Sequence, residues 1–278
     1  MNKLTIFCNG GLGNRFGALV GGLIFGQRIG RKPTICWPEN NWCGCSFKDI
    51  FDLDYETVNI EASVLVKDLE YIAVSHLPLS KETNERIIHP NQIPHTNFSS
   101  ISDNIIYNND SIPVFFNNRL METLRELKVS KVVRSRVEEF CSQSNINRST
   151  IGIHFRKTDK ASQNPIDDNY FLKMISENPN QRYFICSDDE ETESKFKQLP
   201  NVITKPKDAY VEKLVSGHWR TVITDKDNNQ YPFNVNRGRD VSIAGFVDML
   251  ILSRTNIQCN GIGSFLKFAK LFSGVKKL

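Results

Sequence analysis

Apolar and polar positions follow a strand-helix alternation that is clearest in the second half of the chain. An extended apolar run at 150–156 precedes a helical spacing at about 167–177, the run "RYFICS" (182–187), a second helix at about 189–199 and the short strand "VITK" (202–205). A looser segment, 207–238, leads into an apolar helix at 240–254, the strand "IQCN" and a last helix from Ser264. Repeated strand-helix units predict a parallel sheet covered by helices. The chain begins the same way: "KLTIFCN" (3–9) is a strand, glycines and a helical apolar stretch follow to about Ile29, and "PTICW" (33–37) is the next strand. Between Pro38 and Pro113 the pattern is irregular, with strands expected at 57–60, 71–77 and 104–107. From 118 to 144, Leu120, Leu124, Leu127, Val132 or Val133 and Val137 recur at helical intervals, and the polar "SQSNINRS" that follows marks an expected domain boundary near 147.

Two α/β halves, 1–147 and 148–278, suit a chain of 278 residues, and 40% hydrophobic with 24% charged residues is the composition of an ordinary soluble globular protein. A formal charge of +4 suits an anionic small ligand as well as an acidic membrane surface or nucleic acid. The stretch "ALVGGLIFG" (18–26) is less than half of a membrane span, and "MNKLTIFCNG" lacks a secretory pattern, so the expected compartment is the cytoplasm. Seven cysteines, with Cys43 and Cys45 spaced C-x-C rather than as a zinc ribbon, predict reduced, buried thiols.

Charge gathers at the exit of one strand, "IGIHFRKTDK" (151–160). On an extended strand His154 and Arg156 share one face and Ile153 and Phe155 the other, which aims the polar pair at the carboxyl end, where open α/β sheets bind ligands. Arg156, with Lys157 and Lys160 beyond it, could clamp a diphosphate; an exposed basic turn beside a core histidine is the plainer reading. In "CNGIGSFLKFAKLFSG" (259–274) Gly263 and Ser264 open a helix whose free N–H groups form an anion site, or Ser264 is simply its cap. Asp248 interrupts an otherwise apolar helix, so it needs a cation, a helix terminus or ligand donors such as a guanine edge, with Arg254 or Arg239 as structural partners. Asp188 and Asp189 follow the strand "YFICS"; Ser187 or Asp188 could cap the next helix, and the spelling is not the D-x-D of a manganese site. In "CNGGLGNRFGALVGG" (8–22) Phe16 stands where a dinucleotide fingerprint needs its third glycine, although Glu39 is near the place of a ribose-binding acid. Gly11, Gly13, Asn14 and Arg15 suggest a tight ligand-facing loop, and Arg15 could equally be a solvated helix residue.

Taken together, "IGIHFRKTDK" resembles the H-x-R-R-T-D-K motif of the α1,6-fucosyltransferases, whose superfamily includes the nodulation fucosyltransferases and the protein O-fucosyltransferases. "YFICSDDEE" and "GFVDMLILSRTNIQCNGIGSFLKFAKLF" are similar to that family's second and third motifs, in order, across 148–273, and "GGLGNRFGALVGG" is similar to the superfamily's glycine loop. The resemblance implies a GT-B-like α/β fold, with two Rossmann-type domains facing a central cleft. It implies an inverting, metal-independent transferase that moves fucose from GDP-fucose to a hydroxyl of a glycan, lipid-linked glycan or glycoprotein. No cofactor, no nucleic acid and at most peripheral membrane contact are expected. By position His154 and Asp248 would hold guanine, Arg156 would neutralise the leaving β-phosphate, Ser264 would sit by the diphosphate, and Asp188 and Asp189 would support the pocket. Lys157, Gly263 and the loop residues Gly11, Gly13, Asn14 and Arg15 complete the implied donor-binding set.

The chain departs from the family pattern twice. Lys157 replaces its second arginine, and Asn164 stands where it has an acceptor-activating glutamate, which leaves Asp159, Asp167, Asp168, a residue of the first half or no base at all. An NAD(P)-type oxidoreductase and a non-catalytic nucleotide- or sugar-binding module are the competing functions. The first half would supply an acceptor groove, where Trp37, Trp42 and Phe47 stack on sugars or fill a core.

Overall fold

The computed structural model describes residues 3–60, 71–75, 86–101, 103–159, 167–224, 230–231, 233–258 and 263–275. The chain forms two compact units: Met1–Glu39 with Ser46–Ser130 and Gly274–Leu278, and Asn40–Cys45 with Lys131–Ser273.

In the first unit β1 (Leu4–Phe7), α1 (Leu12–Ile29) and β2 (Pro33–Cys36) form the expected opening, and α2 (Phe47–Ile50), β3 (Thr57–Val58), β4 (Tyr71–Ser75), β5 (Arg86–Ile88), β6 (Asn104–Asn108) and α3 (Asn117–Glu126) follow. The strands make one parallel sheet in the order β3-β2-β1-β6-β4-β5. Only β5 among them had no counterpart in the apolar pattern. Burial of α1 from Arg15 to Gly26 requires its glycines: a Cβ on Gly17 would lie 1.9 Å from the Asp110 carbonyl oxygen, and one on Gly22 would lie 2.6 Å from Ile6. Gly22 serves helix-sheet packing, and Gly17 lets the helix meet the loop after β6. Phe16 fills the core against Trp37 and Phe51, at ring-centroid distances of 6.5 and 5.7 Å, and Trp37 meets Phe47 edge-on at 5.6 Å. Trp37 and Phe47 are thus core residues.

The single helical run expected at 118–144 is two helices, α3 and α4 (Lys131–Gln143). Between them Val129 bridges to Phe51, the Asp52 N–H donates to the Lys128 carbonyl at 2.8 Å and the Ser130 N–H to Ile50 at 2.9 Å. Pairing of the backbone with a distant segment overrides the helical periodicity there. The units divide at this break, upstream of the polar run near 147, because α4 packs on a helix of the second unit, α7 (Arg239–Leu252).

The second unit contains β7 (Ile151–Phe155), α5 (Asp168–Glu177), β8 (Tyr183–Ser187), α6 (Glu190–Lys197), β9 (Val202–Ile203), α7, β12 (Asn256–Ile257) and α8 (Ser264–Ser273), with an antiparallel ribbon of β10 (Ile223–Thr224) and β11 (Gln230–Tyr231). Its sheet is parallel in the order β12-β7-β8-β9. The strand expected over "IQCN" begins one residue earlier, and Cys259 lies outside the described residues. Six cysteines are described, all buried, with the Sγ atoms of Cys43 and Cys45 3.6 Å apart. Among the described residues no helix is long and apolar enough to cross a membrane.

On β7 the alternation works as expected. Ile153 and Phe155 enter a cluster with Ile175, Tyr183, Ile185 and Phe196, and Gly152 takes the opposite face. A Cβ on Gly152 would lie 2.0 Å from Thr255 Oγ1 and 2.7 Å from Leu252 Cδ1. Gly152→Ala is therefore expected to lower stability by about 1–3 kcal/mol or more, read as a fall in the urea midpoint. An unchanged midpoint would show that the turn after α7 can yield.

Candidate functional site

In the second sheet β8 and β9 lie to one side of β7 and β12 to the other, so the chain reverses direction of winding at β7. The carboxyl end of such a strand is where parallel sheets take ligands. His154, on the face opposite Ile153, stacks on Phe265 of α8 with ring centroids 4.4 Å apart and planes 20° from parallel. Burial first, and then the positive charges of Arg156 and Lys207, push the imidazole pKa down to about 3. His154 is therefore neutral at physiological pH.

That depression has a pH signature. The unfolded chain takes a proton at His154 near 6.5 while the folded one does not until about 3. Stability from this group is complete above 6.5 and falls with acidification, by up to about 1.4 kcal/mol per pH unit. His154→Gln should lose less stability than wild type between neutral pH and about pH 5. Identical pH slopes in urea titrations of the two proteins would refute it.

Arg156 is partly exposed, at 28%, and its fork grips the fully buried Asp159: Nη2 donates to Oδ2 at 2.9 Å and to Oδ1 at 3.0 Å. Arg237 Nη2 donates to the same Oδ1 at 2.7 Å, and Arg220 Nε reaches the Asp159 carbonyl at 3.2 Å. Burial raises the Asp159 pKa, but the guanidiniums of Arg237 and Arg156 outweigh it and hold the carboxyl below the usual range. A carboxylate so engaged is a poor proton acceptor, which argues against Asp159 as a base. Asp167 caps α5 by accepting from the Asn169 N–H at 2.9 Å, and Asp168 pairs with Lys157 Nζ at 2.6 Å. Lys160 and Asn164 lie outside the described residues.

The two aspartates after β8 divide their work. Asp188 accepts from the Lys157 N–H at 2.7 Å and from the Thr158 hydroxyl at 2.5 Å, tying down the loop that carries Arg156. Asp189 is the cap of α6, accepting from the Thr192 N–H at 2.8 Å. The expected cap at Ser187 or Asp188 is corrected accordingly: the Asp188 carboxylate is taken by the Lys157–Thr158 loop, the Ser187 hydroxyl accepts from the Asp189 N–H at 3.1 Å, and Asp189 is the next residue with a carboxylate in reach of the helix N–H groups.

Asp248 also has a partner other than the expected ones. Lys207 Nζ lies 2.7 Å from Asp248 Oδ2, donates to the Ser187 carbonyl at 2.7 Å and contacts Glu193 Oε1. Glu193 in turn accepts from the Tyr210 hydroxyl at 2.7 Å and the Ser187 N–H at 2.7 Å. Arg239 pairs with Asp240 at the exposed start of α7, and Arg254 lies by Cys141, so neither serves Asp248. Burial raises the pKa of both Asp248 and Glu193 against the pull of Lys207. Burial opposes the Lys207 charge too, yet Asp248 and Glu193 more than offset it and raise its pKa. Asp248 Oδ1 is buried without a hydrogen-bond partner among the described residues.

Gly263, not Ser264, occupies the cap position of α8: its carbonyl accepts from the Lys267 N–H at 3.1 Å, and Ser264 is the first helical residue. A Cβ on Gly263 would meet nothing within 4 Å. His154 relates the three residues singled out in the sequence. It feels the charge of Arg156, it feels Lys207, which holds Asp248, and it stacks on Phe265, the neighbour of Ser264.

The amino-terminal loop belongs to the first unit. Gly10 has φ +78° and Gly11 is the cap of α1, with the Asn14 N–H donating to the Gly11 carbonyl at 3.0 Å. Gly13 is buried in the first turn. Arg15 is not a solvated helix residue: it is fully buried, donates from Nε to the Gly10 carbonyl at 2.6 Å and lies over the Trp37 ring at 4.9 Å. It braces the loop. Glu39, near the expected place of a ribose-binding acid, is paired with Asn59 at 3.1 Å. Trp42, in the second unit, meets Phe233 edge-on at 5.4 Å. Among the described residues no group of three or more His, Cys, Asp or Glu side chains could hold a metal ion.

Sequence reasoning missed Arg237, Lys207, Glu193 and Tyr210. Arg237 had one signal, its place just before the helix that carries Asp248; Lys207 and Tyr210, in an irregular segment, had none.

No family model and no curated protein matches the sequence. Solved structures do share its fold. Fucosyltransferase NodZ from Bradyrhizobium superposes with a TM-score of 0.60 at 14% identity, over 97% of this chain and 92% of that one. NodZ α1,6-fucosyltransferase co-crystallised with GDP gives 0.58 at 13% identity, over 97% and 91%. POFUT1 in complex with GDP-fucose gives 0.51 at 11% identity, over 97% and 93%. The α/β, parallel-sheet fold is thus similar to that of these solved fucosyltransferases.

Proposed function

We propose that this protein is a glycosyltransferase that uses GDP-fucose, with metal-independent transfer and inversion, on a GT-B-like pair of Rossmann-type domains. The observation that carries the reading is the Arg156 fork, preset on buried Asp159 at the carboxyl end of β7 and next to a neutral His154. Asp248 would accept from the guanine edge through Oδ1 while Lys207 holds Oδ2, and the first turn of α8, with Ser264, would meet the diphosphate. As the bond from the sugar C1 to the β-phosphate oxygen breaks, its electron pair goes to that oxygen. A fixed guanidinium stabilises the developing charge more in the transition state than in the ground state. The acceptor hydroxyl attacks C1 from the opposite side, and its proton passes to Asp167, Asp168 or a residue of the first half, or to water when the bond to the leaving group breaks well ahead of attack.

The acceptor class is a glycan, a lipid-linked glycan or a glycoprotein, and the expected place of action is the cytoplasm with at most peripheral membrane contact. A thermal-shift panel of GDP-fucose, GDP, GDP-mannose, UDP-sugars and NAD tests the donor. Stabilisation by the GDP compounds, with GDP-fucose cleaved in the presence of EDTA and an inverted anomer detected by NMR, is the expected result. Stabilisation by NAD alone, or by none of the panel, would overturn it.

A further inference from the structure

Lys157 stands where the resembled motif has its second arginine. Its ammonium pairs with Asp168 at 2.6 Å, so the local order of the motif leaves the diphosphate with one guanidinium. A second one reaches the same carboxylate from 78 residues along the chain: Arg237 Nη2 lies 2.7 Å from Asp159 Oδ1. Both guanidiniums bond that one oxygen, which sets them side by side. The backbone of Arg237 is pinned on both sides, its N–H donating to the Asn41 carbonyl at 3.0 Å and its carbonyl accepting from the Gly44 N–H at 2.7 Å. Its side chain is 14% exposed. A lone structural ion pair requires one cation on Asp159, and here there are two. Asp188, a further carboxylate that acts on Arg237, already accepts from the Lys157 N–H and the Thr158 hydroxyl. The ligand class that offsets paired, planar guanidiniums is one with negative oxygens on adjacent phosphorus atoms.

We propose that Arg237 is the second guanidinium on the donor diphosphate, with Asp159 as the positioning residue that sets both forks. The inference rests on the GDP-sugar reading above. Calorimetry with guanosine, GMP and GDP on wild type, Arg237→Gln and Arg237→Lys separates the two. Arg237→Gln leaves Arg156 on Asp159 and is expected to raise the Kd for GDP about 10- to 100-fold while leaving guanosine binding unchanged. Arg237→Lys keeps a cation on Asp159 and hence the urea midpoint, and it recovers only part of the phosphate increment because the ammonium lacks a second donor edge. Equal losses for guanosine and GDP would reveal a structural role and overturn the proposal, as would an unchanged Kd for GDP in both variants. Failure of the wild-type protein to bind GDP would overturn the donor reading and this inference with it.

Discussion

Lys207→Ala is expected to destabilise the protein by about 3–5 kcal/mol, a large share of the roughly 5–15 kcal/mol by which a folded domain is stable. The ammonium lies between two carboxylates, Asp248 and Glu193, and all three side chains are only 4–5% exposed. Removing it leaves two buried carboxylates without their cation and the Ser187 carbonyl without its donor. The loss should shrink at acid pH. Burial already raises the folded-state pKa of Asp248 and Glu193, so the folded mutant takes protons before the unfolded chain does, and its stability rises as pH falls through that window. Adding Asp248→Asn to Lys207→Ala should recover part of the stability by removing one of the two charges. Urea midpoints at pH 7 and about pH 5 read both effects. A single mutant as stable as wild type at pH 7 would show that the network contributes nothing.

Arg156→Ala should keep the fold and lower turnover about 100-fold or more. The fold survives because Asp159 retains Arg237, so no carboxylate is left unpaired. The loss belongs mainly in kcat rather than in donor affinity, since the guanidinium is needed most when charge develops on the leaving phosphate. Arg156→Lys should recover little, because an ammonium cannot reproduce the fork on Asp159. Steady-state rates of GDP release, read beside GDP affinity and the urea midpoint, make the test. Wild-type turnover in a folded Arg156→Ala protein would remove Arg156 from the chemistry.

Local rules made much of this molecule legible before its coordinates. A period of two on β7 separates Ile153 and Phe155 from His154 and Arg156, and a carboxylate just past β8 predicts a helix start, because these effects act over a few residues. The parallel sheets followed from the alternation of strands and helices. The break between α3 and α4, the enclosure of Arg15, the Lys207 bond to Asp248 and the Arg237 bond to Asp159 came from the tertiary structure alone. A charged side chain is equally at home in water, so its sequence neighbourhood does not say which distant partner makes its burial tolerable. That choice is made only when packing removes the water and leaves the opposite charge as the remaining partner.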